Sequence, residues 1–268
     1  MQVMLFAIVS GVLVAGVCIG GLLLTKRFTK LKGEGHHPVA EALLAVVGTL
    51  FSVLLGFLVV GTMNNYEDAR TKVNQEAQCL ADVFRFAKGL QTAPRKDLRN
   101  TCRDYCKVVS EEEWPELEKK QDSPHAWQLY YQLWDECLSV APIDQRESNI
   151  HQALLNSMQG LGENRRSRIA ILRRSLAPVL WFVMISGCAI IIVFTYFFVI
   201  DSLVLHSVMT GMVAVSLYLI IFLLILYDNP FSGGLKLEPI PFEVNRKLFE
   251  IPDGPVIYLE RWKTTSGK

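Results

Sequence analysis

Four long apolar runs alternate with polar segments along the chain. They cover residues 3–24, 39–63, 179–200 and 203–227. Each run has about 20 residues or more, enough at 1.5 Å per residue to cross a hydrocarbon core of roughly 30 Å. The pattern therefore predicts four transmembrane helices. The first run has no positive charge before it and no cleavage motif after it, so we interpret it as a retained helix and not as a signal peptide.

The second run differs from the others because helix-forming residues continue beyond it. No proline or glycine occurs between Gly61 and Gly89, so one helix is predicted to run from lipid into water. In its apolar part, Thr49, Ser52 and Gly56 are three and four residues apart and share one helical face. A face of small and polar residues requires either a closely packed helix or contact with water.

Residues 64–177 form a polar segment in which apolar positions recur every three or four residues. This period predicts helices, and no strand-like alternation is present. Ser123 is predicted to cap the helix formed by HAWQLYYQLWDECLSV, which begins at His125. The expected fold is an all-α membrane protein with four regions. These are transmembrane helices 1 and 2 in residues 1–63, a helical cytoplasmic domain in 64–177, transmembrane helices 3 and 4 in 178–227, and an extended cytoplasmic tail in 228–268. The tail is expected to be extended because it contains five prolines: Pro230, Pro239, Pro241, Pro252 and Pro255.

Composition and charge restrict the class of protein and the cellular compartment that the sequence predicts. The chain is 51% hydrophobic with a net charge of +1, so it is too apolar for an ordinary soluble domain and gives no reason to expect nucleic-acid binding. Six scattered cysteines without a CxxC pair are typical of reduced thiols. Basic residues lie in the connection 25–38, but more lie beside the inserted domain. The positive-inside rule therefore places that domain and both termini in the cytoplasm, in a multi-pass protein of the cell inner membrane.

Motifs of enzymes are absent from the sequence, and neither a cofactor nor a metal is expected. Cys102 and Cys106 are four residues apart on one helical face and would supply half of a metal site, but no further ligand lies at suitable spacing. Buried thiols are the favoured interpretation. His206, near the start of the fourth run, is expected at the level of the lipid headgroups, with an intramembrane proton relay as the alternative.

Two groups of charged residues are interpreted either as membrane-interface anchors or as part of an ion pathway. Glu41 begins the second run, where it either reaches the membrane interface or surrounds a pore mouth and attracts cations. Arg165, Arg166 and Arg168 precede the third run, where they either anchor its positive flank or form a basic vestibule that concentrates anions.

Three short motifs carry a resemblance to a known family. Ser52–Phe57 is similar to the S-x-x-L-G-F core of the bestrophin pore helix, and Tyr66–Arg70 is similar to the aromatic-x-E-A-R run that follows it in bacterial relatives. Asn229–Gly233 resembles the bestrophin N-P-F-G turn. The placement of a large helical segment between the second and third spans is also the bestrophin arrangement. The chain most closely resembles the bacterial bestrophin-like family, whose members have only a domain-of-unknown-function label.

The resemblance implies a homo-oligomeric ion channel, with a pentamer favoured and a pore lined by the second helix. The bestrophin neck positions correspond to Thr49, Val53 and Phe57. The implied pore-lining set is Thr49, Ser52, Val53, Gly56, Phe57, Val60 and Asn64, and the implied mouth or vestibule contains Glu41, Arg70, Arg165, Arg166 and Arg168. Anion conduction is favoured. Inorganic ions and the lipid bilayer are the expected partners.

Two departures from the family pattern restrict what the resemblance implies. Thr49 stands where a bulky apolar neck residue is expected, and the acidic run that follows the N-P-F-G turn in calcium-activated relatives is missing. The alternative function is a non-conducting membrane-anchored scaffold or sensor. In that case the stripe of Thr49, Ser52 and Gly56 would pack against the glycine-rich first helix within one four-helix bundle.

Overall fold

The computed structural model describes residues 2–28, 37–198, 200 and 202–251. Its α-helices are α1 Gln2–Phe28, α2 His37–Phe86, α3 Thr92–Val108, α4 Trp114–Glu118, α5 Pro124–Leu138, α6 Gln145–Leu172, α7 Pro178–Tyr196, α8 Leu203–Asp228 and α9 Ile240–Phe249. A 3₁₀ turn at Ala87–Gly89 follows α2, and a π-helical turn at Val109–Glu113 joins α3 to α4. No strand occurs in the described ranges, so the prediction of an all-helical fold is confirmed.

Four helices, α1, α2, α7 and α8, are long and apolar enough to cross a membrane, as predicted. Helix α2 is 50 residues long because no helix breaker follows its apolar part. Helix α7 begins with Pro178, which suits the first turn because the missing N–H has no partner to lose there. The predicted cap of α5 is confirmed, since the Ser123 hydroxyl accepts a hydrogen bond from Ala126 N at 3.3 Å.

The helices form two compact units. The spanning unit contains residues 1–71 and 168–237, and the inserted unit contains residues 72–167 and 238–268. Helices α2 and α6 each contribute residues to both units, because the boundaries fall within them.

The core of the spanning unit joins α2, α7 and α8. Its buried members are Phe51, Leu55, Met184, Ile191 and Leu224. Gly187 of α7 allows the Phe51 ring to approach, since a Cβ at this position would lie 2.7 Å from Cδ2 and Cζ of that ring. Helix α2 therefore packs against α7 and α8 through one apolar side that contains Phe51 and Leu55.

Helix α1 packs through glycines against α7 and α8. A Cβ on Gly11 would lie 3.3 Å from the Tyr218 ring, and Gly21 lies beneath the ring of Tyr196. The Tyr196 hydroxyl donates to Cys18 O at 2.7 Å, which fixes the ring over α1. Small residues thus let aromatic rings approach the α1 backbone closely.

The inserted unit has its own buried apolar core, with contributions from Leu80, Leu98, Leu117, Leu133, Leu154 and Met158. Helix α9 closes this unit, and here the prediction of an extended tail is wrong over Ile240–Phe249. Pro241 occupies the first turn, where proline does not break a helix. Phe242 and Phe249 are buried, and Asn245 Nδ2 donates to Ala77 O at 2.6 Å. Pro252 and Pro255 lie outside the described residues.

Candidate functional site

Helix α2 has a buried side and an exposed side within the spanning unit. Phe51, Leu55 and Thr62 are buried, with 8%, 2% and 6% of their surfaces exposed. All of the residues predicted to line a pore are exposed: Thr49, Ser52, Val53, Gly56, Phe57, Val60 and Asn64. The structure therefore brings the predicted residues together on the side of α2 that the chain itself leaves uncovered.

The stripe of small residues does not seat α2 against another helix of the same chain. Gly48 and Gly56 have open space at the Cβ position, with no atom within 4 Å. The alternative, in which Thr49, Ser52 and Gly56 pack against α1 within one chain, is therefore wrong, since all three residues are exposed.

The two hydroxyl groups on this face are bonded within the helix. Thr49 Oγ1 donates to Ala45 O and Ser52 Oγ donates to Gly48 O, each at 2.7 Å. Such bonds to the carbonyl four residues earlier let hydroxyl groups occupy an apolar environment without an unpaired donor. The face therefore combines satisfied hydroxyls with large apolar side chains.

The apolar side chains of this face are suited to a narrow ring. Val53 is 54% exposed and Phe57 is 76% exposed, one helical turn apart. The four-residue spacing gives about 6 Å along the helix axis between successive positions. If several copies of α2 surround an axis, these side chains form stacked apolar rings, which stop ions by excluding water.

Charged residues expected at the mouth of the pore lie in different environments. The Arg70 side chain is 62% exposed and its Nη1 lies 3.7 Å from Glu67 Oε1. This surface pair contributes little stability. Arg166 is also exposed. Glu41 belongs to α2, but its side chain lies outside the described residues.

Arg165 and Arg168 do not fit a vestibule that faces water, because both are 0% exposed. Arg165 makes a bidentate pair with Glu113, with Nη2–Oε1 at 2.7 Å and Nη1–Oε2 at 3.0 Å. Its guanidinium also lies 4.4 Å from the centre of the Trp127 ring. The basic-vestibule interpretation is therefore corrected for these two arginines, since side chains that water does not reach do not line a water-filled vestibule.

The Arg165 pair belongs to a buried network that the sequence interpretation missed. Tyr105 Oη accepts from Arg165 Nη1 at 3.0 Å and donates to Glu76 Oε1 at 2.7 Å. Glu113 is brought into the network by the π-helical turn, which buries both Val109 and Glu113. The sequence contains one indication of this network: Glu76 lies on α2 at a position where the helical period predicts a buried apolar residue.

His206 is buried among protein groups, with 1% of its surface exposed. Its Nε2 is 2.8 Å from Thr195 O, so Nε2–H is the donor. Thr195 lies in the last turn of α7, where carbonyl groups lack partners within the helix. The imidazole therefore caps the end of α7.

The N-P-F turn after α8 is well formed. Asn229 Oδ1 accepts from Phe231 N at 3.0 Å, and Leu237 N donates to Pro230 O at 2.8 Å. Phe231 is 1% exposed, and Gly233 has a positive φ of 85° that favours glycine. Within the described residues, no group of three or more His, Cys, Asp or Glu side chains is placed to hold a metal ion.

The fold is shared with solved structures of a bacterial bestrophin homologue from Klebsiella pneumoniae. A point variant of that protein has a TM-score of 0.67 at 10% identity, over 93% of this chain and 99% of that chain. The structure solved by zinc phasing has a TM-score of 0.67 at 11% identity, over 92% of this chain and 97% of that chain. Comparison with curated proteins gives no match.

The sequence profile of the Bestrophin-like domain matches residues 11–242, which is most of the chain. This range contains the pore-helix motif, the polar segment 64–177 between the second and third runs, and the N-P-F turn on which the resemblance was based. The resemblance is therefore confirmed: the chain belongs to the bestrophin-like family.

Proposed function

We propose that this protein is the subunit of an oligomeric ion channel whose pore is lined by the exposed face of α2. The observation that carries the proposal is the exposure of Val53, Phe57 and their neighbours on one side of α2 while Phe51 and Leu55 hold the other side. The family supports it, because its characterised members are ion channels rather than enzymes.

The proposed pore requires an oligomer. The Phe57 ring is among the most exposed large apolar side chains of the spanning unit, at 76%. In this proposal several copies of the chain bring the exposed faces of their α2 helices around a common axis. A pentamer is the assembly that the family resemblance favours. The bilayer surrounds it, with the inserted unit on the cytoplasmic side of the inner membrane.

Anion conduction, which the family resemblance favours, loses part of its basis in the exposed charges. Arg165 and Arg168 are buried, so Arg70 and Arg166 are the members of the expected basic set that are exposed. We therefore keep anion conduction as the finer form of the proposal and make the sign of the ion an outcome of the test.

The test is ion flux from liposomes that contain the purified protein, with chloride and potassium gradients measured separately. Phe57→Ala removes the largest side chain of the neck, and we expect flux to rise by about tenfold, equivalent to about 1.4 kcal/mol off the barrier. Phe182→Ala is the matched control, because Phe182 is 72% exposed on α7, outside the proposed pore. Its flux is expected to equal that of the unmodified protein.

Two results would overturn the proposal. One is a monomeric mass in detergent, since a monomer cannot enclose a pore. The other is an absence of flux from both the unmodified protein and Phe57→Ala, which would favour the non-conducting scaffold or sensor.

A further inference from the structure

A groove with a volume of about 700 Å³ lies along the exposed face of α5 in the inserted unit. Pockets that bind small molecules have volumes of roughly 300–1,000 Å³. The lining residues come from α5 and the turn before it: Asp122, Pro124, Trp127, Gln128, Tyr131, Gln132 and Asp135. In the described part of the chain, no lysine, arginine or histidine lines this groove, and both of its charged residues are acidic.

The helical period of α5 arranges the lining side chains in two rows. Trp127 and Tyr131 are four residues apart and form one row, and Gln128 and Gln132 form the other row at the same spacing. Asp135 lies four residues after Tyr131 and three after Gln132, so it follows both rows. The groove therefore has aromatic rings along one flank, amides along the other and a carboxylate at the end.

The aromatic row is held in place by contacts within the inserted unit. Trp127 Nε1 donates to Asp122 Oδ2 at 2.8 Å, and the ring centres of Trp127 and Tyr131 are 6.0 Å apart with 28° between their planes. The buried Arg165 guanidinium lies 4.4 Å from the centre of the Trp127 ring, and its charge is compensated by the bidentate pair with Glu113. Because the rings are already positioned, a ligand would bind here with little cost in ordering them.

The polar groups of the groove favour a ligand that donates hydrogen bonds. Gln132 Nε2 donates to Thr101 Oγ1 at 3.2 Å and to Glu136 Oε1 at 2.8 Å, so the amide oxygen is the part of this side chain that remains for a ligand. Carboxylates are acceptors when ionised, and the faces of Trp and Tyr rings attract cations. Tyr131 is 59% exposed and can be reached from solvent. The chemistry of the groove therefore suits an organic cation with N–H donors and an apolar stem.

The two carboxylates determine the length of that cation. The Asp122 carboxylate is bonded to the Trp127 indole, and Asp135 is eight residues further along α5, which gives about 12 Å along the helix axis. An extended chain of nine C–N and C–C single bonds spans about 11 Å. A charge-assisted hydrogen bond at each end adds about 2.8 Å.

We propose that this groove binds a linear polyamine of triamine length. One terminal ammonium group binds the Asp122 carboxylate and the other binds Asp135. The methylene stem lies against the rings of Trp127 and Tyr131, which attract the ammonium groups along it. The inference does not rest on the proposed channel function, because all the residues that carry it belong to the inserted unit.

The test is isothermal titration calorimetry of the full-length protein in a neutral detergent, with spermidine as the probe. Tyr131→Ala removes one ring and Asp135→Asn removes one carboxylate charge, and both side chains are exposed, so the fold does not depend on them. We expect each variant to weaken spermidine binding by about threefold and the double variant by about tenfold. Tyr131→Phe keeps the ring and should bind like the unmodified protein. Asp97→Asn makes the same change of charge at an exposed position of α3 and should also leave the affinity unchanged.

The length of the probe tests the two-ended arrangement. Butane-1,4-diamine has five bonds between its nitrogens and spans about 6 Å, so it reaches one carboxylate at a time. We expect it to bind about tenfold more weakly than spermidine. Equal affinities for the two amines would overturn the inference.

A further variant tests the groove by adding a positive charge to it. Gln128 is exposed in the second row, and Gln128→Lys should weaken spermidine binding by at least about tenfold through repulsion and occupation of the groove. Two results would reject the inference: an absence of saturable spermidine binding to the unmodified protein, and equal affinities of the Tyr131→Ala Asp135→Asn double variant and the Asp97→Asn control.

Discussion

Replacing Arg165 by methionine tests whether the buried ion pair stabilises the inserted unit. The substitution keeps the apolar stem and removes the guanidinium, which makes two hydrogen bonds to Glu113 at 2.7 and 3.0 Å and one to Tyr105 at 3.0 Å. Both charged side chains are 0% exposed. Without Arg165 the Glu113 carboxylate stays buried and loses its bidentate partner, which typically costs about 3–5 kcal/mol. We expect the free energy of unfolding to fall by this amount.

The double variant separates the cost of an unpaired charge from the value of the pair. Glu113→Gln in the Arg165→Met background removes the carboxylate that the single variant leaves without its cation. We therefore expect the double variant to be more stable than the sum of the two single effects, by about 2 kcal/mol, within the range measured for residues in direct contact.

Urea denaturation in detergent, followed by tryptophan fluorescence, measures these differences, since Trp127 lies beside the guanidinium. Arg166→Met is the matched control, because Arg166 is the exposed neighbour in sequence and its loss should change stability by no more than about 0.5 kcal/mol. Equal stabilities of Arg165→Met and Arg166→Met would refute the reasoning.

Two further predictions concern packing and pH. Gly187→Ala should destabilise the spanning unit by about 1–3 kcal/mol in a thermal-denaturation assay, because the added Cβ would lie 2.7 Å from Phe51 ring atoms. Gly16→Ala is the control, since no atom lies within 4 Å of its added Cβ. Equal effects of the two substitutions would contradict the packing described. Burial raises the pKa of the Cys106 and Cys137 thiols from 9.0 to about 12. Because the unfolded thiols lose their protons first, this contribution to stability should be complete below about pH 9 and should be lost between about pH 9 and 12. Denaturation across that range measures it, and rapid labelling of Cys106 in the folded protein at pH 8 would contradict the burial.

The sequence was sufficient to predict the spanning helices, because a long apolar run is a local pattern, whereas the pore-lining residues of α2 were implied by the family resemblance. Thr49, Val53 and Phe57 repeat every four residues, while Phe51 and Leu55 mark the opposite side. Whether that exposed face meets lipid, water or another subunit depends on contacts beyond the chain, so the pore itself stays a prediction.

The arginines show where a count of charges is insufficient. Leu161, Arg165, Arg168 and Leu172 follow one another at spacings of four, three and four residues on α6, and all are buried. Arg166 lies off this stripe and is exposed. The helical period thus separates the buried arginines from the exposed Arg166. The carboxylate that binds Arg165 belongs to Glu113 in the π-helical turn, and no local sequence pattern indicates that turn.

The remaining differences between the sequence prediction and the structure arise from contacts between residues that are far apart in the sequence. Proline content favoured an extended tail, yet Pro241 fits the first turn of α9 and Phe242 is buried. The position of His206 near the start of the fourth run did not indicate its partner, which is the carbonyl of Thr195 at the end of α7. In both cases a partner distant along the chain determined the outcome.

The hydrogen bonds of Thr49 and Ser52 have a consequence for the ions that would pass the neck. Both hydroxyl hydrogens are committed to carbonyls of the same helix, at Ala45 and Gly48. The oxygen lone pairs that remain are acceptors, which coordinate cations in place of water and offer chloride no donor. If α2 lines a pore as proposed, the oxygens of Thr49 and Ser52 would give their layers of that pore a partial negative charge. An ion that sheds water there would be selected by coordination at the neck, whatever charge the arginines place at the mouth.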